Sequence, residues 1–267
     1  YFLAFGSARA ARRAAAALGL VDGALVADAR AYARTRHLAG VCVPEWRSGL
    51  KHDCARIMEL TRRGETWVNG LGETVDVEPA LIYPLLKSSD VANGRAAAAR
   101  AVIVPQRALG EDTAPLRRSA PRAFRYLSRH RALLEGRKSS IYIGQPPFAI
   151  FGVGPYSFAP WKVAISGLYK RSAFTLVGPH QGRPVILDDT CYFLAFGSAR
   201  AARRAAAALG SELARDFLAA RIFWDNKRPI TKAILQALDL RALERAVKAP
   251  GAPRRTPTSP ASRRRRG

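Results

Sequence analysis

A short string in the middle of the chain carries residue types that could act on a nucleobase. Gln145, Pro146, Pro147 and Phe148 place an amide, a rigid turn and an aromatic ring next to one another. In such an arrangement a polar side chain accepts a hydrogen bond from an exocyclic amine, while the ring stacks on a base that has left its duplex. That arrangement needs a short polar side chain such as asparagine, however. Glutamine is one carbon longer, which would displace the oxygen that accepts the hydrogen bond from the amine. The sequence therefore predicts no catalytic residue at this string.

A glycine-containing string, Phe151-Gly152-Val153-Gly154, follows almost at once. It resembles a fragment of the glycine-rich turns that hold nucleotide cofactors. Such a turn opens a helix after a strand, and an acidic residue further along the chain binds the ribose. Here PYSFAPW follows, which does not favour a helix. We predict no cofactor site at this string, because two such sites do not fit so close together.

Four side chains could be imagined as zinc ligands, namely Cys42, His52, Cys54 and Cys191. Their spacing is not one that zinc sites use, so we predict no metal site from them. The three thiols are also too irregularly spaced for a disulfide framework. The absence of that framework favours a reducing cytoplasm as the location of the protein.

Asp189, Asp225 and Lys227 leave a different chemistry open. Carboxylates that converge on a divalent ion, with a lysine that positions the attacking water, can form the centre of a metal-dependent nuclease. Asp-x-Lys triplets are common by chance, and Asp225 precedes a predicted helix start, where a carboxylate is favoured for other reasons. A metal-dependent DNA nuclease is therefore kept as an alternative hypothesis.

Several basic stretches are a stronger indication of function. Each combines Lys or Arg with hydroxyl, glycine or aromatic residues, a mixture that suits phosphate and sugar contacts and base stacking. From these stretches we predict DNA contacts by Arg47, Ser48, Gly49, Lys51, His52, Arg137, Lys138, Ser139, Lys162, Lys170, Lys227 and Arg228. Gly49 is expected at a turn whose backbone can approach a phosphate.

The charge balance of the chain agrees with this prediction. The 267 residues include 44 Lys and Arg against 20 Asp and Glu, a formal net charge of +24. Such an excess indicates a polyanionic partner, because cations that neutralise phosphates release condensed counterions. Codon bias can explain why Arg outnumbers Lys, but not why basic residues so outnumber acidic ones. No uninterrupted apolar run reaches the roughly 18 residues of a membrane span, so we expect no membrane partner.

Helices and strands are both needed to position these residues. Apolar residues make up 48% of the chain, which is enough for a buried core. AVIVPQ predicts a strand, PRAFRYLSRHRALLEG predicts a helix that Gly136 ends, and PITKAILQALDLRALERAV predicts another helix. Residues 140–170 are rich in aromatic, β-branched, Gly and Pro residues and predict mostly strands and tight turns. The predicted fold class is α+β.

One string, YFLAFGSARAARRAAAALG, occurs letter for letter at residues 1–19 and 192–210. Diverged structural repeats keep a pattern and lose identity, so we interpret this one as a recent duplication or an assembly artefact. Residues 1–39 are predicted to be an Ala/Arg-rich helical segment, residues 40–247 a DNA-binding domain and residues 248–267 a disordered basic tail. Because it begins with Tyr1 and not Met, the chain is expected to be a fragment or a product that starts inside a longer gene.

Six further strings occur in order between about Pro44 and about Gln236. They are PEWRSGLKHDCARIMEL, VNGLGETVDVE, YPLLKSSDVANGR, RKSSIYIGQPPFAIFGVGPYSFAPWKVAISGLYK, GRPVILDDTCYF and IFWDNKRPITKAILQ. In these strings the chain resembles the target-recognition region that follows the catalytic domain in adenine-specific, class I SAM-dependent DNA methyltransferases of restriction–modification systems.

The resemblance implies a domain that reads bases in a DNA groove and presents a flipped adenine to an upstream Rossmann-like domain. The turn at 48–51 and the loop at 84–90, with Lys87 and Ser88, would then face double-stranded DNA, and residues 145–148 would be an ordinary strand connection. SAM is expected in the missing upstream domain, not in this chain. That catalytic domain would be the protein partner. A non-catalytic protein that binds DNA or RNA is the remaining alternative.

Overall fold

The computed structural model describes residues 2–4 and 16–249. The strands within them are β1 (Phe2–Ala4), β2 (Ala16–Val21), β3 (Ala24–Val26), β4 (Arg47–Ser48), β5 (Glu59–Arg63), β6 (Thr66–Asn69), β7 (Thr74–Val75), β8 (Ile82–Leu86), β9 (Arg100–Ile103), β10 (Trp161–Ser166), β11 (Phe174–Val177), β12 (Ile186–Leu187) and β13 (Cys191–Phe196). The helices are α1 (Ala29–Thr35), α2 (Ala55–Met58), α3 (Ser88–Ala92), α4 (Leu116–Ser119), α5 (Pro121–Arg129), α6 (Arg131–Glu135), α7 (Ala199–Leu209), α8 (Glu212–Ala219), α9 (Lys232–Gln236) and α10 (Leu240–Lys248). The predicted α+β class is confirmed.

The largest sheet has six strands in the order β12-β8-β9-β5-β6-β7. Its neighbours pair antiparallel, except that β12 runs parallel to β8. Helix α5 packs against this sheet because Ala123, Tyr126 and Leu127 recur at helical spacing and are buried with the sheet residues. The helix predicted from this sequence is broken at His130, and α6 ends before Gly136 as predicted.

A second sheet has four antiparallel strands in the order β11-β10-β13-β4. Helices α7 to α10 form a core with it. The hydroxyl of Ser198 accepts a hydrogen bond from the Ala201 amide and caps α7, as expected at a helix start. Small side chains at Ala202 and Ala205 are fully buried, which lets α7 lie close to the sheet.

A third group of buried side chains joins the two sheets. Leu86 and Leu187, from the six-stranded sheet, pack with Ala164 and Phe193 from the four-stranded one. Strand β10 is therefore buried along almost its whole length. This joint fixes the relative position of the loops that leave β8, β10 and β12.

The amino-terminal prediction needs correction. A helical segment is predicted for residues 1–39, of which residue 1 and residues 5–15 lie outside the described part of the chain. In the described part of that range, β1, β2 and β3 form an antiparallel sheet and α1 is the one α-helix. Pairing between Phe2–Ala4 and Ala16–Leu18 overrides the helix propensity of the alanines. Helix α1 begins at the cap Asp28 and packs on Ala220 at the end of α8.

Two other predictions differ from the structure. Residues 140–160 contain two single-turn 3-10 helices, Ser140–Tyr142 and Pro155–Phe158, so β10 is the one strand between 140 and 170. The helix predicted after Pro229 is two helices, because Asp239 caps α10 and ends the first run.

The predicted basic tail, beyond Ala249, lies outside the described residues. None of the described helices has the length and apolar character needed to cross a membrane.

Candidate nucleic-acid interface

The loops that leave β8, β10 and β12 meet at one edge of the molecule. The hydroxyls of Ser88 and Ser166 hydrogen-bond to each other, and the Gly167 amide donates to the Thr190 carbonyl at 2.9 Å. The backbone of Ile230 also lies against Gly167. We use the name loop edge for this surface, which comprises residues 51–53, 87–88, 167–171, 188–190 and 225–230.

Lys51 joins the loop edge through both its backbone and its side chain. Its amide and carbonyl pair with the backbone of Phe151, each at 2.9 Å. Its Nζ lies 2.6 Å from Asp53 and 3.8 Å from Asp189. Burial raises the pKa of Asp189; Lys51 opposes the rise and Asp188 adds to it. The ammonium of Lys51 thus has acidic neighbours that a phosphate would have to replace.

Lys87 and His52 share one carboxylate. Lys87 Nζ lies 2.7 Å from Glu59 Oε1, and His52 Nε2 lies 3.4 Å from the same atom. Burial opposes the charge of Glu59, but hydrogen bonds from His52 and Lys87 outweigh it and lower the pKa of Glu59. His52 Nδ1 also accepts a hydrogen bond from the Cys54 amide.

The predicted DNA contacts of His52 and Ser88 therefore need correction. His52 is 7% exposed and Ser88 is 5% exposed, and the hydrogen bonds of both side chains serve the interior. Lys87 keeps about a third of its side chain accessible and remains part of the loop edge.

Gly49 also belongs to the interior. A Cβ on Gly49 would overlap the carbonyl oxygens of Leu187 and Asp188. Its amide donates to the carbonyl of Cys191 at 3.0 Å. The carbonyl oxygen of Gly49 in turn leaves no room for a side chain at Gly152. The glycine predicted to approach a phosphate instead allows segments of backbone to pack together.

Arg137 anchors a loop and does not extend into solvent. Its guanidinium donates to the carbonyls of Leu134 and Ala149 at 2.6 Å each and to that of His52 at 3.3 Å. The same group lies 3.6 Å from the centre of the Tyr142 ring. Its neighbour Lys138 is exposed, and Ser139 is partly exposed. Lys138 and Asp53 line one surface depression, which places Lys138 next to the loop edge.

Lys162 and Arg47 lie away from the loop edge. Strand β10 runs from Trp161 to Ser166, and only its Ser166 end meets the loops. Lys162 is 1% exposed, its Nζ donates to the Ala159 carbonyl at 2.7 Å, and burial lowers its pKa to about 7. The prediction that it contacts DNA needs correction for this reason.

Arg47 is half exposed and holds Glu45 at 2.7 Å, with its guanidinium over the Tyr156 ring. Ser48 pairs with Tyr192 of β13 in the sheet register. Neither residue lies among the loops just described.

The remaining predicted cations are accessible. Lys138, Lys170, Lys227 and Arg228 are exposed, and none of them forms an ion pair in the part of the chain that the structure describes. Lys170, Lys227 and Arg228 belong to the loop edge. Lys51 and Lys87 add partly exposed charge to the same surface. The structure thus brings five of the fourteen predicted contacts together as accessible side chains on the loop edge, with Lys138 next to them, and buries several of the others.

The two strings that imitate catalytic motifs serve the core. Phe148 is 4% exposed and its ring meets Phe124 edge-on at 5.8 Å, so it does not face an outside base. Gln145 is exposed. The string is not the strand connection that the resemblance implied, because a 3-10 turn precedes it. Gly152 packs on Gly49, and the 3-10 helix Pro155–Phe158 follows, so this turn forms no cradle for a nucleotide cofactor.

Asp189, Asp225 and Lys227 all lie on the loop edge, but the described carboxylates there form no cluster that could hold a metal ion. Among the described residues, no three His, Cys, Asp or Glu side chains are placed to hold one metal ion. Cys42 and Cys191 are buried, and burial raises the pKa of both thiols, that of Cys42 to about 11. Asp189 is partly buried whereas Asp225 is exposed. The nuclease hypothesis therefore gains no support from this geometry.

Sequence reasoning overlooked one exposed apolar side chain. Ile143 is 80% exposed, the highest value among the large apolar side chains of the described residues. It lies in the turn between Tyr142 and Gln145. The available signal was an isoleucine directly before a glycine in YIGQPP, which is typical of a turn. Because the surrounding residues are β-branched and aromatic, the sequence predicts a strand there and the turn is missed.

Comparisons with known proteins give one extensive match. No family model matches the chain. It is 46% identical over 232 residues to the type II methyltransferase M.NspV of Nostoc sp., a match that covers 86% of this chain and 48% of the relative. The chain thus spans about half the length of this curated relative.

A solved structure of the type IIL restriction-modification enzyme MmeI in complex with DNA shows a weaker likeness. The TM-score is 0.44 at 10% sequence identity, over 73% of this chain and 24% of that chain. No conclusion about this protein follows from a likeness of that size.

Proposed function

We propose that this chain is the DNA target-recognition part of a SAM-dependent, adenine-specific DNA methyltransferase of a restriction–modification system. The observation that carries the proposal is the 46% identity to a type II methyltransferase over 86% of the chain. Identity of this extent is difficult to reconcile with an unrelated function. The chain corresponds to only 48% of that relative, so the proposal assigns recognition to this chain and methyl transfer to residues outside it.

Charge and geometry support a DNA-binding role. The net charge of +24 favours a polyanionic ligand, and three exposed cations, Lys170, Lys227 and Arg228, lie on one loop edge with Lys51 and Lys87. Cations on loops that a rigid sheet supports can reach phosphates without rearrangement of the core. The alternative of a metal-dependent nuclease has no comparable support, because no group of three His, Cys, Asp or Glu side chains among the described residues could hold its metal ion.

SAM does not fit the residues that the sequence offers for it. In the string at 151–154, the backbone of Gly49 fills the space beside Gly152, and the ring of Tyr156 fills the space beside Gly154. We therefore assign SAM binding to the part of the parent enzyme that this chain does not include.

A catalytic domain as partner also agrees with the apolar surface at the amino-terminal side. Leu20 and Leu25 face each other across β2 and β3 and are 72% and 64% exposed. Val41 and Val43 are 71% and 54% exposed. A contiguous patch of exposed apolar side chains marks a protein interface, and the Leu20–Leu25 pair is the candidate for such a contact. Co-purification of this chain with the separately expressed remainder of M.NspV, with Leu20→Ser/Leu25→Ser as the weakened variant, tests the assignment.

DNA binding is tested by fluorescence anisotropy on labelled duplexes at about 50 mM and about 200 mM salt. We expect affinity to fall steeply with salt, and Lys227→Ala/Arg228→Ala to reduce the slope of log affinity against log salt by about 2. Arg200→Ala/Arg203→Ala is the matched control, because it removes the same charge from a surface away from the loop edge. Both arginines lie on α7, which follows the end of β13 that is farther from the loop edge. Weak binding that does not respond to salt would contradict the proposal.

A further inference from the structure

The turn at residues 143–145 projects from a firmly held stem. On one side, Tyr142 lies under the Arg137 guanidinium, and its hydroxyl donates to the Lys51 carbonyl at 3.4 Å. On the other side, Phe148 is buried against Phe124. The Gln145 amide donates to the Tyr142 carbonyl at 3.2 Å, which closes the turn. The stem therefore holds a short tip in a fixed position.

Two side chains of different chemistry are presented at this tip. Ile143 is 80% exposed, and Gln145 is exposed with no side-chain hydrogen bond to any described residue. Gly144 between them has φ +71°, a left-handed conformation that glycine adopts without strain. The tip thus presents one apolar side chain and one amide that bonds no described residue and can bond a partner outside the chain.

The surroundings of the tip favour a polyanion. Arg131 lines the same cavity of about 240 Å³ as the two tip side chains. Exposed Lys138 lines an adjoining depression that shares Arg137 with this cavity. The one acidic side chain that lines this cavity, Glu135, pairs with Arg131 at 2.6 Å, so these two charges offset each other. Arg137 and Lys138 leave the surroundings net positive. The stem also contacts Lys51 of the loop edge. A duplex that lies on the loop edge would therefore pass close to the stem that carries the tip.

An A·T base pair offers partners for both side chains in the major groove. A glutamine amide bonds bidentately to the N6 and N7 atoms of adenine, and an aliphatic side chain contacts the 5-methyl group of thymine. The length of the Gln145 side chain makes it unsuitable for binding the amine of a flipped adenine at a catalytic site. The same length allows its amide to extend into a DNA groove.

We propose that the tip formed by Ile143, Gly144 and Gln145 enters the major groove and reads an A·T pair, with Gln145 on adenine and Ile143 on the thymine methyl group. The proposal rests on the proposed function and goes further, because it names residues that determine specificity. Phosphate-contacting cations fix the duplex in place, and the tip supplies sequence discrimination.

The experiment begins with selection of preferred duplexes from a randomised pool by the wild-type chain. Affinity is then measured for the preferred duplex and for its single base-pair substitutions. We expect Gln145→Ala to lose preference at one A·T pair by roughly 5- to 150-fold, and to bind the other sequences as the wild type does. Lys138→Ala should weaken binding to all sequences alike.

Modified bases identify the contacts atom by atom. 7-Deazaadenine at the selected pair removes the N7 acceptor and should weaken the wild type but leave Gln145→Ala unchanged. Uracil in place of thymine removes the methyl group and should weaken the wild type but leave Ile143→Ala unchanged. Leu109→Ala, at another exposed apolar position with 60% exposure, is the matched control and should respond like the wild type.

The outcomes separate the two proposals. Salt-insensitive, weak wild-type binding contradicts the proposed function, and the reading role fails with it. Strong salt-dependent binding without sequence preference, or with a preference that Gln145→Ala retains, overturns the reading role alone. Thermal denaturation of each variant shows that it is folded, as expected for substitutions at exposed positions.

Discussion

Gly49 and Asp188 are in such close backbone contact that no side chain fits between them. A Cβ on Gly49 would overlap the carbonyl oxygen of Asp188, although the two residues lie far apart in the sequence. The Leu50 amide also donates to the Leu187 carbonyl at 2.7 Å. This contact holds the segment that contains Lys51 against the loop that contains Asp189, and so positions two charges of the loop edge.

Gly49→Ala should destabilise the protein by about 3 kcal/mol or more, because the backbone must separate to admit a methyl group. Chemical denaturation measures the loss. Gly197→Ala is the control, since a Cβ there meets nothing within 4 Å and its φ is not in the left-handed region. Equal stability of the two variants would contradict the contact.

Lys162→Met should remove a pH dependence of folding. The pKa of this lysine is lowered from 10.5 to about 7 by burial, so the unfolded chain binds one more proton than the folded chain between those values. Wild-type stability should therefore rise with pH through this window, by roughly 1 kcal/mol per pH unit, relative to the variant. Below about pH 7 the full cost of the buried charge remains, and the variant should be the more stable protein.

Denaturation of both proteins at about pH 7 and about pH 9 measures this difference. Parallel curves for wild type and Lys162→Met would show that the lysine is not buried as described. Lys170→Met, at an exposed position, should leave the pH dependence unaltered.

Tyr126→Phe should destabilise the protein by about 1–3 kcal/mol, because it leaves a buried acceptor without its donor. The Tyr126 hydroxyl donates to the Ile57 carbonyl at 2.8 Å and accepts from Asn69 Nδ2 at 2.9 Å. Asn69 keeps its bond to Glu73 in the variant. Thermal denaturation gives the change, and Tyr169→Phe at the surface should have almost no effect. A neutral Tyr126→Phe would mean that water reaches the carbonyl.

SAM should give no saturable heat of binding when titrated into this chain. The physical reason is that Gly152 and Gly154, the two glycines of the string that resembles a cofactor-binding turn, pack against other residues of the chain and leave no room for a cofactor. Calorimetry on the purified protein measures the interaction, with a duplex oligonucleotide as the positive control for a folded sample. Stoichiometric SAM binding would overturn the assignment of the cofactor to another part of the enzyme.

Much of the fold could be predicted because its elements carry local signals. Strand β9 is a compact β-branched run, and α5 has apolar residues at helical spacing with proline at its start. The burial of Lys162 had no such signal. Strand β10 is covered on both faces, so it lacks the alternation that reveals which side chains point inward.

The site could be predicted only in part for a related reason. Composition identified basic stretches, and the exposed cations Lys170, Lys227 and Arg228 do lie on one surface. It could not separate them from Arg137, whose guanidinium is consumed by backbone carbonyls from elements distant in the sequence. Long-range contacts decide whether a cation is available to a ligand, and no short string encodes them.

The duplicated string has a consequence for how this chain acquires its shape. Ala16–Leu18 lie in a strand, whereas the same letters at Ala207–Leu209 close helix α7. In the first copy, Ala16–Leu18 pair with the strand Phe2–Ala4. In the second copy, the same letters belong to a helix that packs on the four-stranded sheet. Identical peptides therefore take their conformation from whatever they dock onto.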